Sequence, residues 1–212
     1  MLPTNGDTIP GLLVDNISRD LALAIEDGLI VGSRRAFASS QGMAKGHLPS
    51  VVGQMRHFHM NETFHQALQG ADVNATAIRG NALVTGMSGM FKLARFNVKE
   101  GMWVNARRSQ TRRHMALANK TIEPLVQLGF FDDYQRPDAA VAFFVGIFSG
   151  SLTEAPVSVD IAVPNRDMTG WLFRESITDF LERYEAAPAQ EDLAKPKLKP
   201  NAQRRAKDGT AE

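Results

Sequence analysis

The densest group of side chains able to do chemistry is the run from Trp103 to Lys120, WVNARRSQTRRHMALANK. It holds Arg107, Arg108, Arg112, Arg113 and Lys120, with His114 among them, and no Asp or Glu. Arginine forks match phosphate oxygens two at a time, and clustered cations release counterions when they meet a polyanion. Trp103 beside the cluster could stack on a base. These residue types point to phosphate or nucleic-acid contact. The competing reading is a solvated helix face neutralised by the acidic stretch around Asp132, Asp133 and Asp138, or by an acidic protein partner.

A second constellation is His59, Glu62 and His65, spaced i, i+3, i+6 on an expected helix. Such spacing lays three metal-ligand types along one strip, and Glu-x-x-His is half of a di-iron carboxylate motif. No second half-motif sits at a matching place, and the HExxH spacing of zinc proteases is absent. A metal-dependent hydrolase or nuclease is the reading this trio would support; a polar cluster satisfied by its neighbours is the plainer one. No P-loop GxxxxGK[ST] is present, and Gly146-Ile147-Phe148-Ser149-Gly150 misplaces its serine for a nucleophile elbow.

Composition sets the frame for both. The chain has 212 residues, 43% of them hydrophobic, enough for one substantial core. Its 24 Lys and Arg against 23 Asp and Glu leave a net charge of +1, so only a local patch can argue for a polyanion partner. With no cysteine, disulfides and thiolate chemistry are excluded, which fits a reducing compartment. The N-terminus has no basic segment followed by an apolar run, and AAVAFFVGIF is too short to span a bilayer. The expectation is a cytoplasmic protein with no membrane partner.

The elements that must position these residues follow from periodicity. Residues 1 to 12 read as extended. Ser18 opens a helix expected to end at Gly28 or Gly32, and SRRAFASSQGMAKG reads as a short helix or loop. Pro49 starts a helix running to Gly70, with Val51, Val52, Met55 and Phe58 as its apolar face, continued by His59, Glu62 and His65, while His57 points the opposite way. A hairpin is expected over about 78–98, its loop at Gly86-Met87-Ser88-Gly89 and a bulge near Ala94-Arg95 where the alternation changes phase. The basic block over about 105–120 reads as one amphipathic helix capped by Asn105, with Val104, Thr111, Met115, Ala118 and Ile122 at its back. The apolar run from Pro137 or Asp138 to Ser149 reads as a buried helix. A strand over about 157–163 and a final helix over TGWLFRESITDFLERY complete the body.

The fold class expected is therefore a single α+β globular domain, residues 1–185: a helical N-terminal half and a small sheet packed by helices. Residues 186–212, with six Lys or Arg and much Pro, read as a disordered basic tail. Three function classes remain: a nucleic-acid- or phosphate-binding accessory protein that contacts DNA or RNA through Arg107, Arg108, Arg112, Arg113, Lys120 and Trp103; a metal-dependent hydrolase; and an adaptor for an acidic protein. Which cofactor, if any, is not encoded in a motif.

Overall fold

The computed structural model describes residues 8–126 and 138–185. The basic tail and the acids Asp132 and Asp133 lie outside the described residues. The chain forms an α+β fold, with three helices in the N-terminal half and a mixed sheet after them. The helices are α1 (Ile9–Asn16), α2 (Arg19–Ser40) and α3 (Leu48–Gly70). The strands are β1 (Asn74–Ala75), β2 (Thr85–Ser88), β3 (Phe91–Lys99), β4 (Ala140–Phe148), β5 (Ser158–Pro164) and β6 (Trp171–Ser176), neighbours in chain order across one sheet. Between β3 and β4 lie 3₁₀ turns and the short helix α4 (Gln110–Ala116); α5 (Ile177–Glu185) follows β6.

Every strand pairing is antiparallel except β3 with β4, which run parallel. A parallel neighbour demands a crossover, and the basic block is that crossover. It covers one face of the sheet; α1, α2, α3 and α5 cover the other. The strands are therefore buried on both faces, and this explains two misreadings. The run Ala140–Phe148 is a strand, not a helix, with all nine residues buried. Its even positions Ala140, Ala142 and Phe144 join the core under the helices, and its odd positions Val141, Phe143 and Val145 pack under the crossover. Likewise β3 has no bulge. Its register with β4 is unbroken from Phe91↔Ala140 to Lys99↔Phe148. Phe91 and Leu93 face the helices, whereas Ala94, Phe96 and Val98 face the crossover. The apparent phase change is two apolar faces read as one.

Other boundaries shift for local reasons. Residues from Ile9 are helical, Thr8 capping α1 through its hydroxyl. Ser18 caps α2 as expected, but α2 runs through Gly28 and Gly32 to Ser40. Those glycines let α3 approach rather than ending the helix. A Cβ on Gly32 would come within 2.6 Å of the Thr63 hydroxyl and 2.9 Å of the His59 carbonyl oxygen. In the hairpin, β2 starts only at Thr85, and the reversal is a two-residue turn at Gly89-Met90 between paired Ser88 and Phe91. Gly89 takes φ +52°, and a side chain there would strike Asn16. The segment expected as a last helix divides into β6 and α5, because Trp171, Leu172 and Phe173 extend the sheet before the helix begins.

Pro49 does open α3, and Gly70 does close it, but the buried face is rotated from the one expected. Val52, Arg56, Met60, Asn61, Thr63, Phe64, Ala67 and Leu68 are inside, while Phe58 is exposed. A stripe that buries an arginine and an asparagine is invisible to a count of apolar residues. Arg56 lies on the Phe148 ring, 4.0 Å from its centroid, and donates to the Thr153 carbonyl; Ser33 donates to the Glu154 carbonyl at 2.8 Å. Together they tie α2 and α3 to the loop after β4.

The crossover is pinned to the sheet by Asn119, which is fully buried. Its amide donates to the carbonyls of Val141 (3.1 Å) and Pro164 (2.8 Å) and accepts from the Val141 N–H at 2.6 Å. The β4–β5 ladder stops at Phe143↔Ala162, so this side chain satisfies the backbone groups where the two strands part. The close α2–α3 crossing generates a test of the fold. Gly32→Ala is expected to lower unfolding stability by about 1–3 kcal/mol, the usual cost of overpacking. Gly53→Ala, where a Cβ meets nothing within 4 Å on the same α3, is expected to be neutral or stabilising. Chemical denaturation of both variants distinguishes a close crossing from a general intolerance of helical glycine substitution.

Candidate anion-binding cleft

The paired part of β2 ends at Thr85, opposite Ala94. Beyond that point β3 continues through Lys99 with β4 on one side and no strand on the other. The chain leading into β2 bends away there, through a turn closed by the Ala82 N–H on the Arg79 carbonyl at 2.9 Å. A cleft of about 710 Å³ opens in the gap. Its walls come from α3 (His57), the approach to β2 (Asn81, Ala82, Leu83), strand β3 (Lys92, Arg95, Phe96, Asn97) and the crossover (Ser109, Thr111, Arg112, His114, Met115). Lys92, Arg95, Arg112 and two histidines line it, and no Asp or Glu does. A second depression, of about 550 Å³, adjoins it by sharing His57 and Asn81 and is otherwise lined by Ser50, Gly53, Gln54 and Phe58.

Arg95 forms the floor. It is 2% exposed, yet no carboxylate pairs with it among the described residues. Its partners are all neutral. Nε donates to Asn61 Oδ1 at 2.9 Å, one terminal nitrogen donates to the His57 carbonyl, and the other reaches Asn97 Oδ1 at 3.5 Å. A guanidinium has five N–H groups, so these three bonds leave two N–H, one on each terminal nitrogen. Burial without a counter-charge pushes its pKa down to about 9, which still leaves a cation at neutral pH.

This arginine also orders its neighbours. Because Asn61 Oδ1 accepts from Arg95, its Nδ2 is turned to donate to the Ala82 carbonyl and to His57 Nε2, each at 3.3 Å. His57 must then accept at Nε2 and carry its proton on Nδ1. Burial first, and the Arg95 charge second, lower the His57 pKa, while a hydrogen bond to the Asn81 backbone acts the other way. His57 is thus a neutral imidazole held in one tautomer.

The basic block is not one helix. Trp103–Arg108 is a 3₁₀ turn, Ser109 rather than Asn105 caps α4, and Leu117–Thr121 is again 3₁₀. The expected apolar back is only half correct: Met115 and Ile122 are buried and Ala118 partly so, but Val104 and Thr111 are exposed. The breaks distribute the cations. Arg112 turns inward, donating Nε to the Ala106 carbonyl at 2.9 Å and lying 4.6 Å from the Phe96 ring centroid, and burial lowers its pKa. It is the only arginine of the four that lines the cleft. Arg107, Arg108, Arg113 and Lys120 are exposed outside it and form no ion pair among the described residues. Trp103 packs edge-on against Trp171, with Arg174 over its ring at 4.6 Å, away from the cleft.

His59, Glu62 and His65 are not gathered into a ligand set. Glu62 accepts from Arg35 at 3.5 Å and lies 3.3 Å from His59 Nδ1, so the pair belongs to the α2–α3 contact. Among the described residues no three His, Asp or Glu side chains converge to hold a metal. His59 Nε2 and Arg56 Nε are buried without a hydrogen-bond partner. No described helix is long and apolar enough to cross a membrane.

The spacing of charges did not expose Lys92, Arg95 and Asn97 as site residues. The available signal was Arg95 and Asn97 on one parity of an otherwise apolar strand, since a charge amid FKLARFNV must be buried with partners or aimed at a ligand. No protein-family model, curated protein or solved structure matches this chain, so the function rests on this geometry.

The Arg95–Asn61–His57 chain predicts a titration. With the folded pKa of His57 depressed, the unfolded chain binds more protons as pH falls through the ordinary imidazole range. Folding stability is expected to drop across that range and to level off once folded His57 itself protonates. Asn61→Asp would set a carboxylate against Arg95 and shift the His57 titration upward. Histidine proton resonances followed with pH report this directly; an unmoved His57 would break the proposed link.

Proposed function

We propose that this chain is a nucleic-acid-binding accessory protein that takes a single strand along the cleft and its adjoining depression. The observation that carries the reading is the buried Arg95, a cation without a carboxylate, at the floor of a cleft lined by Lys92, Arg112, His57 and His114 and by no acid. A protein tolerates an uncompensated buried charge poorly. An anion entering the cleft supplies the missing charge and accepts from the remaining N–H groups.

Two features favour a single strand over a duplex. Phe58 is 39% exposed in the adjoining depression, where a base can stack on it. The anion site lies at the bottom of a cleft, which a splayed strand can enter and the stiff backbone of a duplex reaches poorly. Asn81, Asn97, Thr85 and Thr111 add donors and acceptors suited to base edges or sugar hydroxyls. The exposed Arg107, Arg108, Arg113 and Lys120 extend the positive field outside the cleft and raise encounter rates more than they fix a ligand.

Fluorescence anisotropy with mixed-sequence single strands of DNA and RNA, and with a duplex of the same sequence, tests the reading. Single strands are expected to bind, with log affinity falling against log salt at a slope of about −2 if about three phosphates are neutralised. Lys92→Gln with Arg112→Gln is expected to weaken binding more than changing Arg107, Arg108 and Arg113 together. Phe58→Ala is expected to cost about 1–3 kcal/mol. Binding that depends only on the three outer arginines would move the site to the surface. No binding at low salt would leave the acidic-protein partner as the reading to pursue.

A further inference from the structure

We propose that the floor of the cleft is a receptor for a phosphate monoester, the terminal phosphate of a strand, rather than for a phosphodiester within it. This rests on the nucleic-acid reading but is separable from it. The argument begins with access. Arg95 is 2% exposed in a cleft that His57, Asn97 and the crossover residues also line. An internal diester would have to carry two ester-linked sugars to that depth and lead both back out. A terminal phosphate enters end-on, with a single ester link trailing toward the Phe58 depression.

Charge and hydrogen bonding agree. A diester offers two unesterified oxygens and one negative charge. A monoester offers three oxygens and a charge approaching two at neutral pH. Two Arg95 N–H groups, one on each terminal nitrogen, are left by its three bonds, and a guanidinium can give such a pair to two oxygens of one phosphate. Lys92 and Arg112 line the same cleft from the crossover side of β3, opposite the face on which Arg95 meets α3, and their positive field favours the second charge. Arg95 is held by its three hydrogen bonds, and Arg112 is fastened to the Ala106 carbonyl and the Phe96 ring, so both guanidinium groups are positioned before any ligand arrives. The neutral imidazole of His57 adds no competing charge at the floor.

The test measures one oligonucleotide in three forms, with a 5′-phosphate, a 3′-phosphate, or hydroxyls at both ends, by anisotropy at fixed salt on the full chain. Inorganic phosphate and a mononucleotide 5′-phosphate serve as competitors, with sulfate as the non-titrating comparison. A phosphorylated end is expected to bind at least about tenfold more tightly than the hydroxyl form, one charge-assisted bidentate contact being worth about that factor or more. The preferred end reports which sugar carbon carries the phosphate. Lys92→Gln, a surface change that leaves the core intact, is expected to shrink the preference. Asn61→Asp, which neutralises Arg95 without opening a cavity, is expected to abolish it; circular dichroism and thermal melts check that both variants fold.

Equal affinity for all three forms overturns the monoester receptor and leaves strand binding standing. A preference that persists in both variants also overturns it, because the end would then be recognised elsewhere. If no oligonucleotide binds but the mononucleotide or inorganic phosphate does, in an Asn61-dependent way, the receptor stands and the nucleic-acid reading falls. If nothing binds, both fall.

Discussion

The constraint on which the site depends is the burial of Arg95 without a counter-charge. Removing a cation from water costs several kcal/mol, and neutral hydrogen bonds recover only part of it. Every local choice around Arg95 follows from limiting that cost. Asn61 faces it with oxygen rather than nitrogen, the His57 carbonyl turns toward it, and Asn97, two residues along the same strand, points the same way. Burial first, and the neighbouring Arg95 charge second, lower the His57 pKa and keep its imidazole neutral. The guanidinium is held by α3 and lines the cleft.

The sheet topology creates the place where this can happen. Had β2 continued to pair beyond Thr85, its backbone would have covered β3 and no cleft could have opened at Arg95. The parallel step from β3 to β4 then forces a long crossover over the opposite face, and that crossover supplies Arg112 and His114 to the far wall. Asn119 holds the crossover down by replacing ladder bonds between the diverging ends of β4 and β5. Two interruptions of the sheet, one at each end of its centre, are thus used differently: one is filled by a side chain, the other is left open and lined with cations.

How much of this was legible depends on what kind of signal each element carries. The Pro49 to Gly70 helix, the Ser18 cap and the strand around Ile161 announced themselves through local chemistry that tertiary structure did not override. The apolar run at Ala140–Phe148 did not, because a strand buried on both faces has no alternation to distinguish it from a buried helix. The same double burial made the regular strand β3 look bulged. Local charge density drew attention to a segment of which Arg112 lines the cleft while its other arginines do not. It favoured Arg107, Arg108 and Arg113, which are exposed, over Lys92 and Arg95, which stand apart in sequence among apolar neighbours. Clustering along a chain measures field strength; it does not measure which cation a fold encloses. The His59, Glu62 and His65 strip shows the complementary limit, since shared helical phase put Glu62 beside His59 but gave no third ligand.

The choice of arginine over lysine at position 95 follows from the same geometry. An ammonium in that position would lose its hydration shell and, with three N–H directions, could not satisfy Asn61, the His57 carbonyl and Asn97 while still presenting a planar fork to the cleft. A delocalised guanidinium is more weakly hydrated, so it costs less to bury, and its flat array separates the bonds that hold it from those left for a ligand. The depressed pKa of Arg95 reflects its burial without a counter-charge. An anion bound there would offset the burial cost of the charge and stabilise the fold, since any ligand that binds only the folded chain shifts the folding equilibrium toward it. On the proposed reading, binding and stability would be coupled through one side chain, because the cost of burying Arg95 is what an anion would offset.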